Sequence, residues 1–249
     1  MTYIPQNSPN SPALQGEYIL RILETYFLCG DAYIYQEDIY NLCRRSIHNL
    51  AYPSFLYDFN FLLQNNLLCR EGRKIYLPKT LQHETSTAHF LAQLLLDNNL
   101  TSPVLPEYII TTDGTVLCNE QKNAVHTALS HRLSLILGGA GTGKSSLVQA
   151  TVQYIPKGTG AVLCAPTGKA ARNLADRTHM VVRTVHSVLG ICPDDDFFSP
   201  IYWENISLCI VDEASMLTLE MLYGLLNCAK KNCRIVLLGD YNQLLSVGS

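Results

Sequence analysis

Eight consecutive residues, Gly138, Gly139, Ala140, Gly141, Thr142, Gly143, Lys144 and Ser145, fit the spacing GxxxxGK[S/T]. Glycine lets a backbone curl until successive N–H groups face one centre, which suits phosphate oxygens. Gly139, Gly141, Thr142 and Gly143 form that curl. Lys144 is placed to reach the β- and γ-phosphates, and the Ser145 hydroxyl to ligand Mg²⁺. Ser146 continues the helix whose positive end faces the same anion. A second apolar stretch, SLCIVDEAS, ends in adjacent carboxylates. Asp212 there would hold Mg²⁺ through water, and Glu213 would orient or deprotonate an attacking water. The plain alternatives are a glycine-rich turn without a ligand and a solvated acidic pair. Both fit poorly behind uncharged, apolar lead-in strands. ATP and Mg²⁺ are therefore the expected cofactors, and hydrolysis coupled to work the expected chemistry.

These residues need a parallel sheet to position them. From about residue 119 the pattern alternates short apolar strands (LSLILG, AVLCAP, SLCIVD, RIVLLGD) with helical stretches that start near Lys144, near Lys169 and after Leu217. Continuous apolar strands separated by helices signify a sheet covered on both faces. Ahead of it, EYILRILETYFL, QEDIYNLCRRSIHNL and SFLYDFNFLLQNN repeat apolar residues at helical spacing. They are followed by a tight-turn hairpin, LLCREGRKIYL, and one more helix. Three helices and a hairpin follow the order of a winged helix, and equally that of plain helical packing. The expected organisation is a Pro/Asn/Ser-rich tail over 1–16, a helical, winged-helix-like domain over 17–98 and a turn-rich connector over 99–118. An α/β P-loop core follows over 119–249.

Charged residues make up only 16% of the chain and the net charge is −3, so bulk electrostatics does not advertise a nucleic-acid binder. Residues 1–119 carry a net −4 and residues 120–249 a net +1, so any contact with nucleic acid belongs to the second half. Nine cysteines form no CxxC pair and sit mostly among apolar neighbours, as small hydrophobes in a reducing cytoplasm do. The start has neither a basic nor an apolar signal region, and the apolar run near 90–96 is too short to span a bilayer. A cytoplasmic protein without a membrane partner is expected.

GGAGTGKSS, APTGKAARNL, TVHSVLG, IVDEASML and VLLGDYNQLLSVGS occur in one order. Together they resemble superfamily 1 DNA helicases of the RecD-like branch, which includes the exodeoxyribonuclease V alpha subunit. The resemblance is dense over 119–249 and looser over 17–97. It implies a RecA-like architecture for 119–249 and an ATP-dependent helicase, moving 5′→3′, that serves recombination or repair. It further implies single-stranded DNA and other subunits of an exodeoxyribonuclease V-type complex as partners. Gln121 matches the glutamine that contacts adenine, and a side-chain amide does suit adenine's N6/N7 edge. Pro166, Thr167, Gly168 and Lys169 match a segment that touches single-stranded DNA, and Thr184 and His186 a second such motif. Asp240 and Gln243 match the segment that senses the γ-phosphate. Three departures are Ala140 where proline is common, Ser145 for threonine, and Leu245 for proline. Between His186 and Asp212 the family often carries a duplex-splitting hairpin. Phe197, Phe198, Tyr202 and Trp203 there are candidate wedge or stacking groups, but aromatics beside a proline more often anchor a packed surface loop, and that is the favoured expectation. The chain stops directly after the γ-phosphate motif, so the expectation is an N-terminal fragment that binds ATP and turns it over slowly. The rival expectation is a nucleotide-binding, non-catalytic module that docks on partner nuclease or helicase subunits.

Overall fold

The computed structural model describes residues 12–28, 31–97, 100, 103–139, 141–191, 203–229 and 232–240. They fall into two compact units divided between Thr85 and Ser86.

In the first unit, helix α1 (Pro12–Leu28) is followed by strand β1 (Ile34–Tyr35), α2 (Gln36–Ser46) and α3 (Tyr52–Gln64). A hairpin of β2 (Cys69–Glu71) and β3 (Lys74–Tyr76) closes it, and α4 (Pro78–Leu96) runs on through the division. Acidic Glu37 and Asp38 open α2 and basic Arg44 and Arg45 end it, each charge opposing the helix dipole. The hairpin turns through Gly72, whose φ of +57° is the left-handed value a two-residue connection needs. The antiparallel sheet has the order β1-β3-β2, with Ile34 and Arg70 flanking Ile75. Ile19 and Leu23 of α1, Ile39 of α2, Phe55, Phe59 and Leu62 of α3, and Ile75 of β3 form its core. This is the helix and hairpin order of a winged helix. The strand β1, only two residues long, was not visible as a periodic pattern.

The second unit is a five-stranded parallel sheet with helices on both faces. Its elements are α5 (Asn119–Ser130), β4 (Leu133–Leu137), α6 (Lys144–Gln153), β5 (Gly160–Ala165), α7 (Gly168–Thr178), β6 (Arg183–Thr184), α8 (Val185–Val188), β7 (Ile206–Val211), α9 (Leu219–Cys228) and β8 (Arg234–Gly239). The strand order is β4-β8-β7-β5-β6. Side chains alternate across a strand, and here they sort into two cores. Leu163, Leu208, Ile210, Val236 and Leu238 meet Val125, Leu129, Leu147, Val148 and Leu174 of α5, α6 and α7. Val162, Cys164, Cys209 and Val211 meet Val185, Val188 and Leu225 of α8 and α9. Both faces of β5, β7 and β8 are thus covered, which is why their sequences read as unbroken apolar runs.

Residues 103–118 lie in this unit and contribute Ile109 and Leu117 to its first core. Trp203 is 7% exposed inside the second core, so the wedge role considered for it is overturned: the indole is packed under the sheet. Phe197, Phe198 and Tyr202 lie outside the described residues. At the amino ends of the strands, buried Arg132 pairs with Asp97 at 2.8 Å, and Arg234 donates to the Leu129 carbonyl at 2.7 Å. Both arginines bind structure at the end of the sheet opposite the glycine-rich loop. No helix among the described residues is long and apolar enough to cross a membrane.

Candidate nucleotide and strand site

Each candidate residue that falls among the described ones lies at or beside the carboxyl end of a sheet strand, where α/β folds bind ligands. The loop after β4 is held at its start by the Gly138 N–H, which donates to the Gly239 carbonyl of β8 at 3.1 Å. Gly141 and Gly143 take φ values of +77° and +81°, so the loop needs glycine there. Gly143 is the N-cap of α6 and carries the chain into the helix that Lys144 opens. The Thr142 hydroxyl donates back to the Gly139 carbonyl at 2.9 Å. The Lys144 ammonium donates to the carbonyls of Gly138 and Gly139, the latter at 3.0 Å. An ammonium folded onto its own loop marks the place where an anion would take over those contacts. Ser145 and Ser146 follow in the first turn of α6.

Gln121 stands in the first turn of α5 and closes on this loop. Its Oε1 accepts from the Cys118 N–H at 3.0 Å and its Nε2 donates to the Thr142 carbonyl at 3.1 Å. A side-chain amide has two N–H groups and two lone pairs. One of each is used here, which leaves one donor and one acceptor, the pair an adenine edge requires.

Asp212 leaves β7 with its N–H donating to the Cys164 carbonyl of β5 at 2.9 Å. Strand β8 lies between β7 and β4. Strands sit about 4.8 Å apart, so the carboxylate and the loop are separated by roughly 10 Å, room for phosphate and a hydrated cation. The Oδ1 atom of Asp212 is buried and has no hydrogen-bond partner. Burial raises the Asp212 pKa, against the opposing charges of Lys144 and Arg177. Glu213 is raised as well, by burial and then by Asp212, while Lys144, Lys169 and Arg177 pull it back. Its φ of +52° is left-handed, an uncommon conformation for a residue with a Cβ and one that clusters at functional sites.

An unpaired buried carboxylate oxygen at the same strand edge as a phosphate-type loop fits a divalent cation. Among the described residues no three His, Cys, Asp or Glu side chains gather to hold a metal unaided. Mg²⁺ suits such a place because it binds through one or two protein oxygens plus substrate phosphates and water. Ser145 and Asp212 are the residues that would share it.

The strand-side candidates occupy the other half of the same edge. Ala165 of β5 is in register with Thr184 of β6. Pro166 is buried where β5 ends, while Gly168 and Lys169 are exposed at the start of α7. The Thr167 hydroxyl accepts from the Ala170 N–H at 3.2 Å and caps α7, and Thr184 caps α8 by accepting from the Ser187 N–H at the same distance. Both hydroxyls keep a hydrogen to donate. His186 is half-buried within α8. Asp240 directly follows β8, and Gln243 lies outside the described residues. Sequence reasoning missed Arg177, whose charge acts on both site carboxylates. It sits in the last turn of α7, and no spacing in the sequence connects that turn with β7.

The model of a family described as an AAA domain, AAA_19, matches residues 121–249. The chain belongs to that family. Among curated proteins it is similar to the ATP-dependent RecD2 DNA helicase of Deinococcus radiodurans, at 34% identity over 70% of this chain and 24% of the relative. It is also similar to the RecBCD enzyme subunit RecD of Haemophilus influenzae, at 32% identity over 51% of this chain and 24% of that one. A third relative, the RecBCD enzyme subunit RecD of Buchnera aphidicola, is 26% identical over 69% and 32% of the two chains. The RecD-like resemblance carried by the five motifs is borne out by these relatives. The matches span about a quarter to a third of the relatives' lengths. A solved structure of two coordinating Pif1 helicases at forked double-stranded DNA is similar over 54% of this AAA-family chain and 36% of that chain, at 23% identity and a TM-score of 0.41.

Proposed function

We propose that the chain is the nucleotide-binding core of an ATP-dependent DNA helicase, with Mg²⁺-ATP at the β4 loop and single-stranded DNA at the ends of β5 and β6. The observation that carries this is the buried, unpartnered Oδ1 of Asp212 at the same strand edge as a loop built on left-handed glycines. Lys144 would exchange its two loop carbonyls for phosphate oxygens, and Gln121 would offer its spare donor and acceptor to the base. Bound Mg²⁺ supplies positive charge to the phosphoryl oxygens as the bond breaks. Glu213 orients the attacking water and takes its proton, a task its raised pKa favours. The loop backbone, Lys144 and the α6 amino end hold the leaving phosphates. On the strand side, Lys169 and the free hydroxyl hydrogens of Thr167 and Thr184 meet DNA phosphates, which fixes position without reading sequence. Membership of an exodeoxyribonuclease V-type assembly is supported by the names of the RecBCD subunit relatives, while recombination or repair and 5′→3′ movement rest on the motif resemblance alone.

Thermal unfolding of the whole chain with and without Mg²⁺-ATP tests this. A ligand specific to the folded state raises its stability by mass action, about 2.7 kcal/mol at a hundred times Kd. The wild type is expected to shift upward and Lys144→Ala to shift little; equal shifts in both would remove the phosphate site.

A further inference from the structure

Helix α3 turns one stripe toward the core of the first unit: Phe55, Asp58, Phe59 and Leu62, spaced by three and four residues. Three are apolar and the fourth is an aspartate, the only charged residue on the helix. Asp58 is 3% exposed, and its Oδ2 is buried without a hydrogen-bond partner. Burial alone raises its pKa. An ionised carboxylate in such a place is costly unless something compensates its charge.

Asp58 lines a cavity of about 410 Å³ between α1 and α3. Leu20, Leu62 and Leu67 supply apolar wall, and Tyr57 and Phe61 stand at it with half or more of their surface exposed. The second carboxylate on the wall, Glu17, already pairs with Arg21 at 2.8 Å. Asp58 is left as the one wall carboxylate, among the described residues, with no cation beside it. The volume is in the range of small-molecule sites.

We propose that this cavity receives an aliphatic cation, a protonated amine or guanidinium on a short apolar stem. The cation meets Asp58, the stem lies along Leu20, Leu62 and Leu67, and the Tyr57 and Phe61 rings offer their faces at the mouth. A hydrated metal ion fits worse, because one carboxylate in apolar walls cannot replace its water. A neutral donor leaves the charge uncompensated, and phosphate is repelled. Two sources share the chemistry: a lysine or arginine side chain of a protein partner, or a free diamine. The inference owes nothing to the helicase reading, since every residue it uses lies in the first unit.

The test is calorimetric titration of the full chain with n-butylamine, butylguanidine and 1,5-diaminopentane, with n-butanol as the uncharged control and ionic strength held constant. Acetyl-Leu-Lys-Leu-amide and its Gln analogue form the peptide arm. The charged probes are expected to bind the wild type, butanol and the Gln peptide at least tenfold more weakly, and Asp58→Asn to lose at least tenfold for every amine. A Lys peptide tenfold tighter than the diamine assigns the site to a protein side chain, and the reverse order to a free diamine. Equal affinities in wild type and Asp58→Asn, or no binding of any charged probe, overturn the proposal. Should Asp58→Asn fail to fold, the ¹³C shift of the Asp58 carboxyl in the wild type decides: it moves with butylamine and not with butanol, or the proposal falls.

Discussion

Gly143 and Gln121 form a contact whose energy can be isolated. A Cβ added at Gly143 would lie 2.2 Å from Gln121 Nε2, and the residue sits at φ +81°. Gly143→Ala therefore has two costs. The left-handed backbone with a Cβ costs about 1–2 kcal/mol. The methyl also expels the Gln121 amide from between the Cys118 N–H and the Thr142 carbonyl, and two exposed hydrogen bonds are worth roughly 1–2 kcal/mol together. Gln121→Ala alone loses the same two bonds and so costs the same roughly 1–2 kcal/mol. In the double variant the bonds are lost once and the backbone strain remains. Its cost should fall short of the sum of the singles by roughly 1–2 kcal/mol, well beyond the scatter of independent sites. Trp203 is the single tryptophan and is buried in the second unit, so its fluorescence in urea reports that unit's unfolding. Additivity within about 0.5 kcal/mol would refute the contact and, with it, the view that Gln121 rests against the loop.

Two further outcomes follow from the same edge. Burial raises the Asp212 pKa, so the folded core holds a proton that the unfolded chain has released; stability then falls as pH rises from the ordinary carboxylate value through the raised one. Asp212→Asn should lose most of that slope, Glu213 keeping a part, and at neutral pH should be the more stable of the two without nucleotide, read by Trp203 in urea. Lys169→Ala should weaken single-stranded DNA binding and lower the slope of log K against log salt by about 0.7, without altering sequence preference; a slope equal to the wild type's would move the phosphate contact elsewhere.

The loop and the carboxylates were legible because their requirements are local. Left-handed turns demand glycine, a helix start demands its first residues, and an apolar strand that ends in Asp-Glu leaves little else for the acids to do. The helices expected from Lys144 and Lys169 begin at Lys144 and Gly168. Strand order was not legible, since β8 enters between β4 and β7 through pairing across long sequence separations. Trp203 shows the same limit: beside Pro200 and three other aromatics it reads as a loop anchor or wedge, and only the sheet's position reveals an indole buried in the same core as Cys164 and Val211. Asp58 was hidden for a different reason. The apolar residues of SFLYDFNFLLQNN are dense enough to satisfy several helical phases, so the stripe containing the aspartate could not be singled out.

The strand order also bears on how the two halves of the site could act together. The edge runs from the β4 loop, past Gly239, to Asp212, then to the end of β5 and on to Thr184. Asp212 is bonded through its N–H to the Cys164 carbonyl, and Pro166 follows Cys164 by two residues. A shift of the Asp212–Glu213 turn is therefore applied directly to the strand that carries the candidate DNA segment. The sheet beneath is covered on both faces, and packed layers resist gradual deformation. The parts free to respond are the half-buried and exposed ones: Glu213 in its left-handed conformation, and Lys169, whose charge already acts on Glu213. A DNA phosphate that draws Lys169 outward removes one of the three cations restraining the Glu213 carboxylate. In the proposed reading, strand occupancy and the hydrolytic base thus share an electrostatic account at a single edge, with the sheet as the fixed frame between them.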